Sequence, residues 1–376
     1  MTEGATYNSA VSLPALHITD VQQFRKCRRA WKWGSAFFGH NLTPKVRPLP
    51  LVQGSGIHVA LQGYYNTPAN ERSAEAVIAA FDEWYNEQIK KAGEVSPIWK
   101  EEVAIYTKMY KECVAMLYHY HLWVTEWQKD AAYEVVSMEQ EFDVPLPEGG
   151  VMGAPASPYH LSGRFDGVVR DKATGKLYLL EFKTAANMRS TMWVTKYPQA
   201  TAYTWAASQL FGQPLEGILY RFLVKAAPCD LRVLASGKYS QDKAQKTTYE
   251  WALGQLRQVA SAYDNPAEKL SQLMIENHEI LNYLSMVDEN PFFMEIKVNR
   301  TPEQIQEFMY GLYSDAQLMA DSKLPCYPMS GIHCGYCPFK DACGKKDMGG
   351  DYQFLLDTLF TNREFWETPT EGEEGA

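Results

Sequence analysis

The chain has 376 residues, 46% of them hydrophobic and 22% charged, an ordinary globular balance that leaves room for one elaborated domain or two. Its 45 acidic residues outnumber 36 basic ones for a formal net charge of −9, which excludes a protein that coats nucleic acid by bulk positive charge but not one with a single basic groove. No stretch approaches the ~20 apolar residues of a membrane span, so no membrane association is expected.

The opening MTEGATYNSAV carries an acid and no apolar core and does not read as a secretory signal. The expected compartment is the cytoplasm, bacterial if the gene is prokaryotic or viral. Seven cysteines, at 27, 113, 229, 326, 334, 337 and 343, are an odd number, which in such a chain argues against a disulfide framework.

Residues 1–18 read as a tail. A helix is expected over 19–38, opened by a Thr19/Gln22 capping box. Val21, Phe24, Cys27 and Trp31 share one face, so Cys27 should point inward. Arg25, Lys26, Arg28, Arg29 and Lys32 take the rest, either to meet phosphates or simply to face water. After the loop LTPKVRPLPLVQGSG a second helix is expected from about Ile57, with Gly54 and Gly56 allowing close backbone approach and His58 in its first turn. Ser73 to Gln128 reads as two helices broken near Gly93–Pro97. Their stripe of Tyr106, Met109, Tyr110, Cys113, Met116, Leu117 and Tyr120 is core, so Cys113 is a small hydrophobe. His119 and His121 face different sides and do not read as a metal site.

Tyr133–Leu146 alternates as a strand, with Val136, Met138, Gln140, Phe142 and Val144 on one face and Glu139 and Glu141 on the other, where either acid could approach a metal site or simply face water. Leu161–Thr184, LSGRFDGVVRDKATGKLYLLEFKT, reads as two strands and a polar turn. Asp166 lies on the first strand, and Glu181 and Lys183 share a face of the second, roughly 7 Å apart along it. Charges inside runs such as LYLLEF are costly to bury without a purpose. A divalent cation held by the carboxylates, with the lysine beside it, supplies one. Pro198 then starts a helix on which Gln199 and Tyr203 stand one turn apart, and GILYRFLVK (217–225) is a further strand. The order helix, three strands, helix, strand is that of a mixed α/β core.

Residues 227–325 read as a helical insertion. Lys238, Lys243 and Lys246, with Tyr239 and Tyr249 between them, could track a single strand or be plain surface. The segment 326–348 holds Cys334-x2-Cys337-x5-Cys343, three thiols kept converging by the surrounding Gly and Pro. Three do not close a four-ligand site. Cys27 is the natural fourth, Cys326 and His333 the local alternatives, and Cys229 incidental. By spacing alone structural zinc and an iron–sulfur cluster suit the site equally. The tail 349–376, with Glu364, Glu367, Glu371, Glu373 and Glu374, reads as acidic and disordered.

Taken together, His58, Gly163-Arg164-Phe165-Asp166-Gly167, Glu181-Phe182-Lys183 and Gln199-x3-Tyr203 resemble, in order and spacing, the PD-(D/E)XK nuclease superfamily in its RecB-like branch. With the cysteines they resemble its iron–sulfur subset, which includes CRISPR-associated RecB-type exonucleases and the AddB nuclease domain. The resemblance implies a restriction-endonuclease-like core over 19–226, a mixed central sheet flanked by helices, with extra helical regions and a C-terminal cysteine cluster. It implies Mg²⁺ or Mn²⁺ held by Asp166, Glu181, the Phe182 carbonyl and His58. Lys183, Gln199 and Tyr203 would complete the catalytic set. It further implies a [4Fe–4S] cluster on Cys27, Cys334, Cys337 and Cys343, and a DNA exonuclease acting on ends or single strands in recombination or repair, alone or with protein partners. A non-cutting DNA-end binder and a zinc-stapled interaction module are the alternatives.

Overall fold

The computed structural model describes residues 15–362 apart from 37, 47, 96–99 and 188–190. The N-terminal part runs α1 (Ile18–Lys26), α2 (Arg28–Gly34), β1 (Leu42–Pro44), α3 (Leu49–Asn66), α4 (Ala74–Val95) and α5 (Lys100–Glu126). The centre holds β2 (Tyr133–Pro147), β3 (Ala156–Asp171), β4 (Leu177–Ala185), α6 (Thr191–Val194), α7 (Pro198–Phe211) and β5 (Gly217–Val224). There follow α8 (Tyr249–Ala260), α9 (Pro266–Glu276), α10 (His278–Ser285), β6 (Phe293–Val298), α11 (Pro302–Ala320), α12 (Lys340–Asp347), α13 (Tyr352–Leu359) and β7 (Phe360–Asn362).

Five strands form the central sheet in the order β2-β3-β4-β5-β6. All neighbours are antiparallel except β4 and β5, which pair in parallel from Tyr178↔Gly217 to Ala185↔Val224. A central strand is covered on both faces, which is why β5 reads as a nearly unbroken apolar run and is buried at every residue. The β3–β4 turn is closed by Asp171, whose Oδ1 accepts from the N–H groups of Ala173 and Thr174, with Gly175 at φ 71°.

Helices cover both faces. Alternate residues of β4 and β5 point into two cores. Leu179, Ile218, Tyr220 and Phe222 pack with α1, α7 and α11; Leu180, Phe182, Leu219 and Leu223 pack with α3, α4 and α5. This is the expected mixed α/β architecture.

Several expectations need correcting. The helix over 19–38 is two, because Cys27 is extended (φ −163°, ψ 112°) between α1 and α2, and Thr19 makes no cap, since His17 is the N-cap. Helix α3 begins at Leu49, a proline-led start, and not near Ile57. The GSG stretch lies inside it, where Gly56 allows close packing: a Cβ there would come within 2.6 Å of Phe81 and Trp84. His58 is therefore in mid-helix.

Strand β2 does not keep one face. A bulge at Val136 and a left-handed residue at Glu139 (φ 49°) switch it, so Val135 and Met138 pack on one core while Phe142 and Val144 pack on the other. The region 227–325 is only partly an insertion. Helices α8–α10 have a small core of their own, but β6 is the fifth strand of the sheet and α11 packs on its face.

From residue 349 the chain continues through α13 to β7, which pairs with β1. The acidic stretch after Arg363, like residues 1–14, lies outside the described residues.

Candidate active site and cysteine site

The β3–β4 ladder runs from Arg170↔Leu177 to Gly167↔Leu180 and stops. At the next position the strands part, and two backbone N–H groups lose their ladder partners. The carboxylates take them. Asp166 Oδ2 accepts from Phe182 N–H at 2.8 Å, and Glu181 Oε1 from Asp166 N–H at 3.4 Å. The sequence thus puts acids where a sheet opens, and backbone donors orient them.

Around this pair four more groups converge. His58 Nδ1, from α3, stands 3.3 Å from Asp166 Oδ1. Lys183 Nζ donates to Glu181 Oε2 at 3.1 Å, and Gln199 Nε2, from α7, donates to the same oxygen at 3.2 Å. Tyr203 is hydrogen-bonded to Gln199 and packs edge-on against Phe142 and Phe165. Gly163 makes room for this: a Cβ there would lie 2.9 Å from Phe142. The Phe182 ring faces away, edge-on to His58 and stacked on Tyr65.

The electrostatics follow from burial. Glu181 is 1% exposed; loss of water and the adjacent Asp166 charge push it up to about 7. Burial pulls the same way on Asp166, but His58 and Lys183 outweigh it and hold Asp166 below its ordinary value. Burial would lower Lys183, yet Glu181 and Asp166 raise it, so it stays an ammonium. His58 is likewise raised, burial being overcome by Asp166.

Residue alternation leaves Glu139 and Glu141 both open to approach this site, and one of them does. Glu139, at the left-handed kink of β2, stands across from Asp166, forms an ion pair with Arg164, and is raised by burial, with Asp166 and His58 in electrostatic reach. Glu141 is exposed and not part of the group. Two carboxylates and a third acid nearby are hard oxygen donors of the kind Mg²⁺ or Mn²⁺ takes, with a borderline imidazole beside them. A cavity of about 670 Å³ beside Arg72, Asp130 and Arg221 touches none of Asp166, Glu181 or Lys183.

The second cluster lies at the chain ends. Cys27, Cys337 and Cys343 share a small core with Ala30, Trp33, Phe339, Leu356 and Phe360. Burial raises the Cys337 thiol, and Cys27, Cys343 and Cys334 each act on it electrostatically. Of the local alternatives, Cys326 donates to Leu324 O and packs on the main core, and His333 Nε2 stands 2.8 Å from Met329 O. Among the described residues no group of three or more His, Cys, Asp or Glu is drawn in tightly enough to hold a metal ion. The four thiols are neighbours and not yet a coordination shell.

The basic face of the first helices is largely spoken for. Arg25 pairs with Asp315, Arg29 with Asp347, and Lys32 donates to Phe38 O. Arg28 stacks on Phe24 and Tyr327, and Lys26 on Tyr336. Tyr239 and Tyr249 pack inward on the α8–α10 core, so they offer no stacking platform beside Lys243. Among the described residues no helix is long and apolar enough to cross a membrane.

A family model described as the PD-(D/E)XK nuclease superfamily matches residues 16–344. A search of curated proteins finds no match to the chain.

Proposed function

Because the chain belongs to the PD-(D/E)XK nuclease superfamily, we propose that it is a metal-dependent DNA nuclease, an exonuclease working on ends or single strands in recombination or repair. The observation that carries this reading is the meeting of Asp166, Glu181, Lys183 and His58 where β3 and β4 part. Asp166 and Glu181, with the Phe182 carbonyl and His58, would hold Mg²⁺ or Mn²⁺. When bound, the cation supplies Lewis-acid polarisation of the phosphodiester and offsets the charge that develops on it.

The remaining work falls to the chain. Lys183 donates to Glu181 Oε2 beside the carboxylate pair, so its part is to orient the attacking water and to stabilise the charge growing on the phosphate oxygens. Gln199 acts through Glu181: by occupying Oε2 it fixes the carboxylate's rotation. Tyr203 in turn fixes Gln199. His58 pins Asp166 Oδ1.

At the chain ends, Cys27, Cys334, Cys337 and Cys343 would hold a [4Fe–4S] cluster that staples the two termini of the fold; the support is that the other three thiols lie within electrostatic reach of Cys337. The colour of anaerobically purified protein tests this, brown for iron–sulfur and colourless for zinc.

Exonuclease action is tested with end-labelled single- and double-stranded DNA, free or blocked at either terminus, in Mg²⁺ or Mn²⁺. The expected result is stepwise loss of label from free ends only. Cutting of circular or doubly blocked DNA at the same rate would replace the exonuclease by an endonuclease.

A further inference from the structure

Arg29 stands at the cysteine site, and neither the reading above nor the family match gives it a part. The helix break at Cys27 starts α2 at Arg28 and sets Arg29 beside α12. Its Nη1 donates to Cys343 Sγ at 3.2 Å and to Asp347 Oδ1 at 2.5 Å, two side chains one turn apart on α12. The guanidinium is only 13% exposed, and its Nε is buried with no acceptor among the described residues. Five planar donors are thus committed to a place where one carboxylate and one sulfur answer them.

Neutral thiols are weak acceptors and give a buried cation little in return. Four thiolates around a zinc ion or a [4Fe–4S] core make a net dianion whose sulfurs accept strong, charge-assisted bonds. The donor set of Arg29 therefore suits the loaded form of the site. We propose that Arg29 is the counter-charge of the cysteine site, a positioning residue that holds the Cys343 thiolate by a hydrogen bond and keeps the metal core in place. The proposal rests on the four-cysteine reading.

The test uses full-length protein reconstituted with ferrous iron and sulfide, then challenged with EDTA while the visible absorbance is followed. Groups that orient metal ligands are worth about ten- to a hundredfold in metal affinity. Arg29→Met is expected to load and then release iron faster by about that factor, with Arg29→Lys, which keeps the charge but loses the fork, in between. Its midpoint potential should move to more negative values, since a nearby cation favours the more negative reduced core. A merely structural arginine would leave that potential unmoved.

Release rates and a potential equal to wild type in both variants overturn the proposal while leaving the cysteine site intact. If Arg29→Met fails to fold, Arg29→Lys and Asp347→Asn decide by the same two readouts, each expected to release faster than wild type. Cys337→Ser separates the two ideas. If it loads as wild type does, or if wild type itself takes up neither iron nor zinc, the four-cysteine reading falls and the role of Arg29 falls with it.

Discussion

Glu181 is the residue where burial and charge conflict, and its behaviour should be measurable without any substrate. Its pKa in the folded chain, about 7, lies above the ordinary carboxylate value. The folded protein therefore holds a proton that the unfolded chain has released, and the stability this contributes is present below about pH 4.5 and lost as pH rises through 7. His58 is raised too, so its contribution also fades as pH climbs past its folded value. Thermal melts in chelator should show the apo protein losing stability from about pH 5 to pH 8. Glu181→Gln should flatten that slope, and added Mn²⁺ should raise the melting temperature more at the higher pH. A flat apo profile would contradict the assignment. Lys183→Met should lower the cleavage rate by about a hundredfold or more with folding intact, whereas Gln199→Ala should weaken Mn²⁺ binding by about ten- to a hundredfold, read by titration. Asp166, Glu181, Lys183, Gln199 and His58 were all legible from residue type and order, because a period-two reading fixes which side chains share a face. Glu139 was only half so: alternation set it on a face with Glu141 without choosing between them, because its inward turn depends on a left-handed backbone at a residue that carries no local signal for one.

At the scale of elements, the site depends on α3 lying close to the sheet and to α4. Gly56 decides that distance. Two effects oppose each other at this position. Alanine gains about 1 kcal/mol of helix propensity over glycine, but its Cβ would meet Trp84 at 2.5 Å and Phe81 at 2.6 Å, an overpacking that costs about 1–3 kcal/mol. Phe81 is fully buried and Trp84 half-buried against the same core, so Gly56→Ala should be destabilising in urea titrations and should weaken activity through His58, one turn away or less on the same helix. A stabilised variant would show that α3 is looser than described. From sequence, GSG reads as a loop, since glycine more often marks a turn than a packing notch; only the tertiary contact with α4 tells the two apart. The same holds for the break at Cys27. RKCRRAWKW contains neither glycine nor proline, and the extended residue is set by what Cys27 and Arg29 meet at the far end of the chain.

Across the whole molecule, the two ends are joined before any metal is considered. β1 pairs with β7, Trp33 lies against Phe339 and Tyr352, and Arg29 pairs with Asp347. Phe339 is buried in this joint and stacked on Phe360; Phe339→Ala should cost about 3–5 kcal/mol. It should also release α2 and α12 together in hydrogen exchange. Exchange confined to one of the two would mean that the ends are not a unit. The broad α/β order was readable because strand and helix periods differ, while the membership of β6 and the β1–β7 pair was not, since both are short and are specified by partners far away in sequence. The central claim is that the parted strands β3 and β4 form one cation-dependent cutting site. Its most direct test is the cleavage of labelled DNA by wild type and by Asp166→Asn, both shown to be folded, with Mn²⁺ and with chelator. Cutting by wild type in Mn²⁺ alone, and by neither protein otherwise, is the result predicted. Equal cutting by Asp166→Asn, or none by wild type under any of these conditions, would contradict it.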